Sequence, residues 1–226
     1  RQPNARSIQE EIEKTLLRLN SGTPVTVHGA GRTDAGVHAI GQVVNFFTDG
    51  TIPIQNVVRA GNRLLPDDIV LLKAEEADRD FSALHSVKSK IYIYKVFENE
   101  LADPFMNRFY WHVNKKLNLE DMQEALKYIE GEHDFSSFRS AGGNDTSPIR
   151  EIYEASCTKE KNVYTFKFWG SGFLYHMVRN IMGLMINIGL GRVDKHEVPK
   201  IIEAKNRALA GKMAPANGLY LQKVYY

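Results

Sequence analysis

The sequence predicts an α+β fold in two related lobes, and three observations carry that expectation. Helix, strand, loop, strand, helix and strand alternate through the first third of the chain. A second, looser series of the same kind fills the remainder. With 226 residues and 43% hydrophobic content, the chain can bury one large core or two small ones. The lobes are expected at residues 1–80 and 81–226.

The elements follow in order. Ser7 opens a capping box with Glu10, and Ile8, Ile12, Leu16 and Leu19 share one face of the helix that follows. Asn20-Ser21-Gly22 stops it. Val25 to His28 reads as a short strand, a glycine-rich loop comes next, and Ile40 to Phe47 reads as a second strand. Asn56 to Leu65 is helical, ended by Pro66, and Ile69 to Ala74 is a strand. In the second lobe Ile91 to Phe97 alternates as a strand, and Asn118 caps a helix from Leu119 to Ile129. Ile149 to Thr158 and Val163 to Trp169 form a hairpin. Two helices, Phe173 to Ile188 and Lys195 to Ala204, precede a last strand at Leu219 to Val224. Ser140 to Ser147 is the segment expected to be a mobile loop. The chain opens at Arg1, almost directly before the first helix, so a preceding segment is expected.

Charge and cysteine usage set limits on function. Lys and Arg number 29 against 27 Asp and Glu, a net charge of +2, so a nucleic-acid partner would need a local basic patch. The single cysteine, Cys157, excludes an intrachain disulfide and fits a cytoplasmic setting. The most apolar stretch, Phe173 to Leu190, contains His176, Arg179, Asn180 and Asn187 and reads as a buried helix, not a membrane span.

Three constellations could carry chemistry. The first is Gly29-Ala30-Gly31-Arg32-Thr33-Asp34-Ala35-Gly36-Val37-His38, an acid, a base and a hydroxyl among three glycines. Asp34 stands where a dinucleotide fingerprint needs glycine, and no Gly-Lys-Ser/Thr follows, so a phosphate cradle is rejected. His28, Asp34 and His38 could be metal ligands, yet no helical His-Glu-x-x-His pair or cysteine cluster supports them. Asp34 as a catalytic carboxylate uses the whole loop; a local Arg32–Asp34 salt bridge that stiffens the turn is the bland alternative. On the residues alone both stay open.

The second constellation lies on the helix from Phe173. His176, Asn180, Gly183 and Asn187 fall in one polar or small stripe, with Arg179 beside it and apolar residues on the other faces. A buried arginine needs a carboxylate, for which Asp34 is a candidate, or must reach to water. The third is Lys88-Ser89-Lys90-Ile91-Tyr92-Ile93-Tyr94-Lys95, where tyrosines share one strand face among lysines. Such a strand suits stacking on an unpaired base, or simply two core tyrosines.

Taken together, Gly31 to Ala39, Tyr92-Ile93-Tyr94 and His176-Met177-Val178-Arg179-Asn180-Ile181 resemble the TruA family of tRNA pseudouridine synthases. Asp103-Pro104-Phe105, His133 to Phe138 and Gly218-Leu219-Tyr220-Leu221 resemble it too, in the same order along the chain. The resemblance implies two ferredoxin-like lobes forming a mixed, mostly antiparallel sheet, helices on one side and a central active-site cleft. It implies isomerisation of uridine to pseudouridine at positions 38 to 40 of the tRNA anticodon stem-loop, by a homodimer, with no metal and no organic cofactor. It assigns Asp34 as the catalytic aspartate, Tyr92 as a wall against the target base, Arg179 as the partner of Asp34, and Arg32 as a residue that holds the base out of its stack. The family's leading strand has no counterpart after Arg1. The rival readings are a non-catalytic RNA-binding module of the same fold and a metal-dependent hydrolase using His28, Asp34 and His38.

Overall fold

A computed structural model describes residues 6–48, 53–143 and 146–226. Asn144 and Asp145, inside the segment expected to be a mobile loop, lie outside the described residues. The chain divides into two compact units: residues up to Arg32 with Val43–Val87, and Thr33–Gln42 with Lys88–Tyr226. The glycine loop is therefore shared out. Gly29 to Arg32 go with the first unit, while Asp34 goes with the second because the residues just after it pair there.

In the first unit α1 (Ile8–Leu19) starts as its capping box requires, with Ser7 Oγ accepting from the Glu10 N–H. It ends where Gly22, at φ +84°, donates its N–H to the Leu17 carbonyl. Helix α2 (Ile54–Asn62) follows the strand pair β1 (His28–Gly29) and β3 (Val44–Asn45), which run antiparallel. Ile12, Leu16, Val25, Val27 and Leu65 form the core.

Less sheet forms here than the sequence suggests, for a local reason. Both backbone groups of Val27 are taken by side chains of α1: Glu13 accepts its N–H and Gln9 donates to its C=O. Leu71 is held in the same way by the Asn62 amide. Backbone groups satisfied by side chains have nothing left for a ladder. Residues 25–27 and 69–74 accordingly stay outside any strand.

The second unit is built on a seven-stranded mixed sheet. Strand β4 (Ser89–Glu98) lies antiparallel to both β8 (Val163–Gly170) and β9 (Leu219–Tyr225). Beyond β8 come β7 (Ile149–Glu160) and β6 (Gly131–Asp134); beyond β9, β2 (His38–Ala39) adds a short parallel edge. Of the strand expected over Ile40 to Phe47 only β3 forms, in the other sheet, while β2 lies just before it. A strand that sequence reasoning misses, β5 (Trp111–Val113), pairs parallel with the end of β4.

One face of this sheet carries Tyr94, Val96, Tyr164, Phe166 and Phe168, all fully buried. It packs in one cluster with Met122 and Leu126 of α3 (Leu119–Lys127) and Ile181 and Met185 of α4 (Met177–Gly189). Truncating one such phenylalanine to alanine would cost about 3–5 kcal/mol. Helix α5 (Val198–Glu203) is shorter than expected, because the residues after the Asp194 cap form a 3₁₀ turn and Pro199 stands in the first α turn. Cys157 is buried in β7, its thiol pushed up to about 12 by burial, which fits a packing residue. Among the described residues no helix is long and apolar enough to cross a membrane.

Candidate active site

Asp34 sits in a tight turn in which its carbonyl accepts the Val37 N–H at 3.0 Å. Gly36 closes that turn at φ +82°, a conformation that favours glycine. Immediately afterwards His38 and Ala39 pair with Tyr220 and Leu221 of β9, which ties the turn to the sheet.

Helix α4 brings the partner. It is buried nearly all round, as its composition predicts, so each polar group on it must be accounted for. Gly183 gives the space: a Cβ there would collide with the Lys212 carbonyl, so the segment from Lys212 to Ala214 passes against the helix backbone. The Ala214 N–H then donates to the Arg179 carbonyl (3.0 Å), and Arg179 Nε donates to the Ala214 carbonyl (2.9 Å). With Nε fixed, Nη1 donates to Asp34 Oδ2 at 2.7 Å, across 145 positions of sequence.

That is a short, charge-assisted contact of the stronger kind. The arginine side chain is 11% exposed and the aspartate 23%, so the pair is shielded without being sealed. The reach-to-water reading of Arg179 is set aside by this contact. So is the local Arg32–Asp34 salt bridge, because Arg32 is exposed and makes no ion pair among the described residues.

A second nitrogen lies close to the same oxygen. His176 Nε2 lies 3.2 Å from Asp34 Oδ2. Burial, reinforced by the Arg179 and Arg207 charges, holds the imidazole below the ordinary histidine range even though Asp34 pulls the other way. The neutral ring is the favoured form.

Tyr92, on β4, is partly buried and meets Phe173 edge-on at 5.0 Å between ring centres. Its hydroxyl is pushed up to about 12, first by burial and then by the negative charge of Asp34. Its neighbour Tyr94 is wholly buried and donates to the Pro215 carbonyl, a core role. Lys95 lies over the Tyr220 ring at 5.0 Å.

The rest of the α4 stripe is structural. Asn180, fully buried, donates to the Phe138 carbonyl and Ser140 Oγ and accepts from Arg207. Asn187 donates to the Gly183 carbonyl. His38 is engaged by the Arg108 carbonyl and stacks on Tyr220 at 4.7 Å, and among the described residues no group of three or more His, Cys, Asp or Glu is placed to hold a metal ion.

Of the two readings open for Arg179, the structure has the contact with Asp34. Sequence reasoning left His176 without a role. The signal was the spacing of three between His176 and Arg179 at the start of one helix; the backbone that aims the ring could not be read.

The comparisons with known proteins point the same way. The family model for tRNA pseudouridine synthase matches residues 1–84 and 125–226. Over 226 residues the chain is 43% identical to the tRNA pseudouridine synthase A of Acetivibrio thermocellus, spanning 100% of this chain and 92% of that one. Identity to the protein of the same name from Ruminiclostridium cellulolyticum is 45%, with the same coverage. For Streptococcus thermophilus it is 44% over 228 residues, again covering 100% and 92%. The chain belongs to the tRNA pseudouridine synthase family.

Proposed function

We propose that this chain converts uridine to pseudouridine at positions 38 to 40 of the tRNA anticodon stem-loop, with Asp34 as the catalytic carboxylate. The observation that carries the reading is the ion pair of Asp34 with Arg179, shielded and fixed by the Arg179–Ala214 hydrogen bonds. A carboxylate held in this way has one oxygen engaged and one left for substrate.

The reaction breaks the N-glycosidic bond of uridine, turns the uracil and joins its C5 to the same sugar carbon. The C5 proton is released and N1 is protonated, so the net change is an isomerisation. A carboxylate can serve such a reaction as nucleophile or as a stabiliser of positive charge on the sugar. The freed base must stay in place while it turns, which calls for an aromatic wall; Tyr92 supplies it and Phe173 holds Tyr92. Extruding the target nucleotide costs a few kcal/mol, offset by stacking and backbone contacts. Arg32, exposed, is available to hold the base outside the stack.

A homodimer that holds tRNA between subunits is part of the same proposal. Support comes from large apolar side chains left at the surface, Leu101 at 74% and Phe105 at 85% exposed. Incubating the protein with tRNA carrying uridine at 38, 39 and 40, then mapping pseudouridine chemically with and without a chelator, tests the reading. Conversion at those positions that survives chelation is expected. Absence of conversion favours the RNA-binding module, and conversion lost on chelation favours metal chemistry.

A further inference from the structure

His176 is the residue of this site whose own backbone is under constraint. It stands just before α4 at φ 62° and ψ 6°, a left-handed conformation that costs a side-chain-bearing residue energy. The surroundings hold it there. The Ser140 N–H donates to the Tyr175 carbonyl on one side, and the Asn180 N–H donates to the His176 carbonyl on the other. The Tyr175 ring stacks on the imidazole at 3.7 Å between centres.

The result of this constraint is a direction. Nε2 faces Asp34 Oδ2 at 3.2 Å, the same oxygen that Arg179 binds at 2.7 Å. Both nitrogens lie on Oδ2, and Oδ1 has no partner among the described residues. A carboxylate held through one oxygen by two donors keeps a fixed orientation, with its other oxygen facing away from them.

We propose that His176 is a positioning residue for the reaction: its Nε2–H, aimed by the left-handed backbone and the Tyr175 stack, joins Arg179 on Oδ2 and leaves Oδ1 of Asp34 as the oxygen that acts on the substrate. This rests on the reading of Asp34 given above. The groups that face the ring are Asp34, Arg179, Arg207 and Tyr175. With two cations already present, a neutral donor orients the carboxylate without adding a third charge.

Three variants test it: His176→Phe keeps a stacking ring and removes the donor, His176→Gln keeps an amide N–H near the position of Nε2, and Asp34→Asn is the control. For each, single-turnover conversion of uridine-containing tRNA is measured beside tRNA affinity. The Phe variant is expected to lose roughly tenfold to a hundredfold in rate, the value of one hydrogen bond to a charged group. Its tRNA affinity should stay within about twofold of the parent, and the Gln variant should recover most of the rate. An unchanged rate in the Phe variant, or a Gln variant as slow as the Phe variant, would overturn the role of His176 alone. Conversion by Asp34→Asn would overturn the reading of the site itself.

Discussion

Helix α4 carries two polar clusters one residue apart, and they differ in a way that separates chemistry from architecture. Around Asn180, itself fully buried, each polar atom has a partner: its amide nitrogen donates to Phe138 and Ser140 and its oxygen accepts from Arg207. Around Arg179 the accounting is left open. Arg179 and His176 both meet one oxygen of Asp34, and among the described residues the other oxygen has no partner, in a carboxylate that is 23% exposed. A saturated network fixes a fold, because any change leaves a buried group unpaired. An unsaturated one, held equally firmly, leaves a group free for substrate. The neighbouring positions Arg179 and Asn180 thus serve different ends.

That contrast can be broken experimentally. Around the carboxylate the largest effect is expected at Arg179. Arg179→Ala removes the partner of Asp34 and the clamp on Ala214, and should lower turnover at least a hundredfold. It should also cost roughly 3 kcal/mol, the low end for orphaning a buried partner, because Asp34 keeps some water contact. Thermal unfolding and single-turnover conversion read the two losses separately.

Asn180→Ala should show the opposite balance. It leaves the Phe138 carbonyl and Arg207 without their partner, for about 2 kcal/mol of stability. Activity per folded molecule should stay near that of the parent. Equal damage to rate in both variants, at a temperature where both are folded, would erase the distinction.

Smaller effects sharpen it. Tyr92→Phe retains the ring against Phe173 and should change the rate only a few-fold, whereas Tyr92→Ala should lose the roughly 1–3 kcal/mol typical of an aromatic platform under a base. The smallest effect is linked to pH. The folded protein holds His176 below its ordinary value of 6.5, so the unfolded chain takes up the proton first as pH falls. The contribution of His176 to stability is complete above about 6.5 and is lost on acidification through the lower folded value. Relative to His176→Gln, the parent should lose melting temperature progressively below pH 6.5.

Much of this was legible in the sequence, and the rest was hidden for physical reasons. The Ser7 and Asn118 caps, the hairpin and the buried character of α4 follow from local chemistry and came out as expected. The pairing of Arg179 with Asp34 was open to a simple argument, since a buried cation needs an anion and the glycine loop offered one. What failed was strand length in the first unit. There Glu13, Gln9 and Asn62 take backbone groups that a ladder would have used, a competition that periodicity does not register. His176 escaped for a related reason: its role depends on a left-handed backbone held in part by a contact from Ser140, which is remote in sequence.

The central claim is that Asp34 performs the chemistry and does not merely anchor Arg179. The most direct test is single-turnover conversion of tRNA bearing uridine at 38, 39 and 40 by the parent and by Asp34→Asn, with tRNA affinity measured for both. The Asn variant is expected to bind tRNA nearly as well as the parent and to form no pseudouridine. Pseudouridine formed by the Asn variant at a rate near that of the parent would contradict the claim.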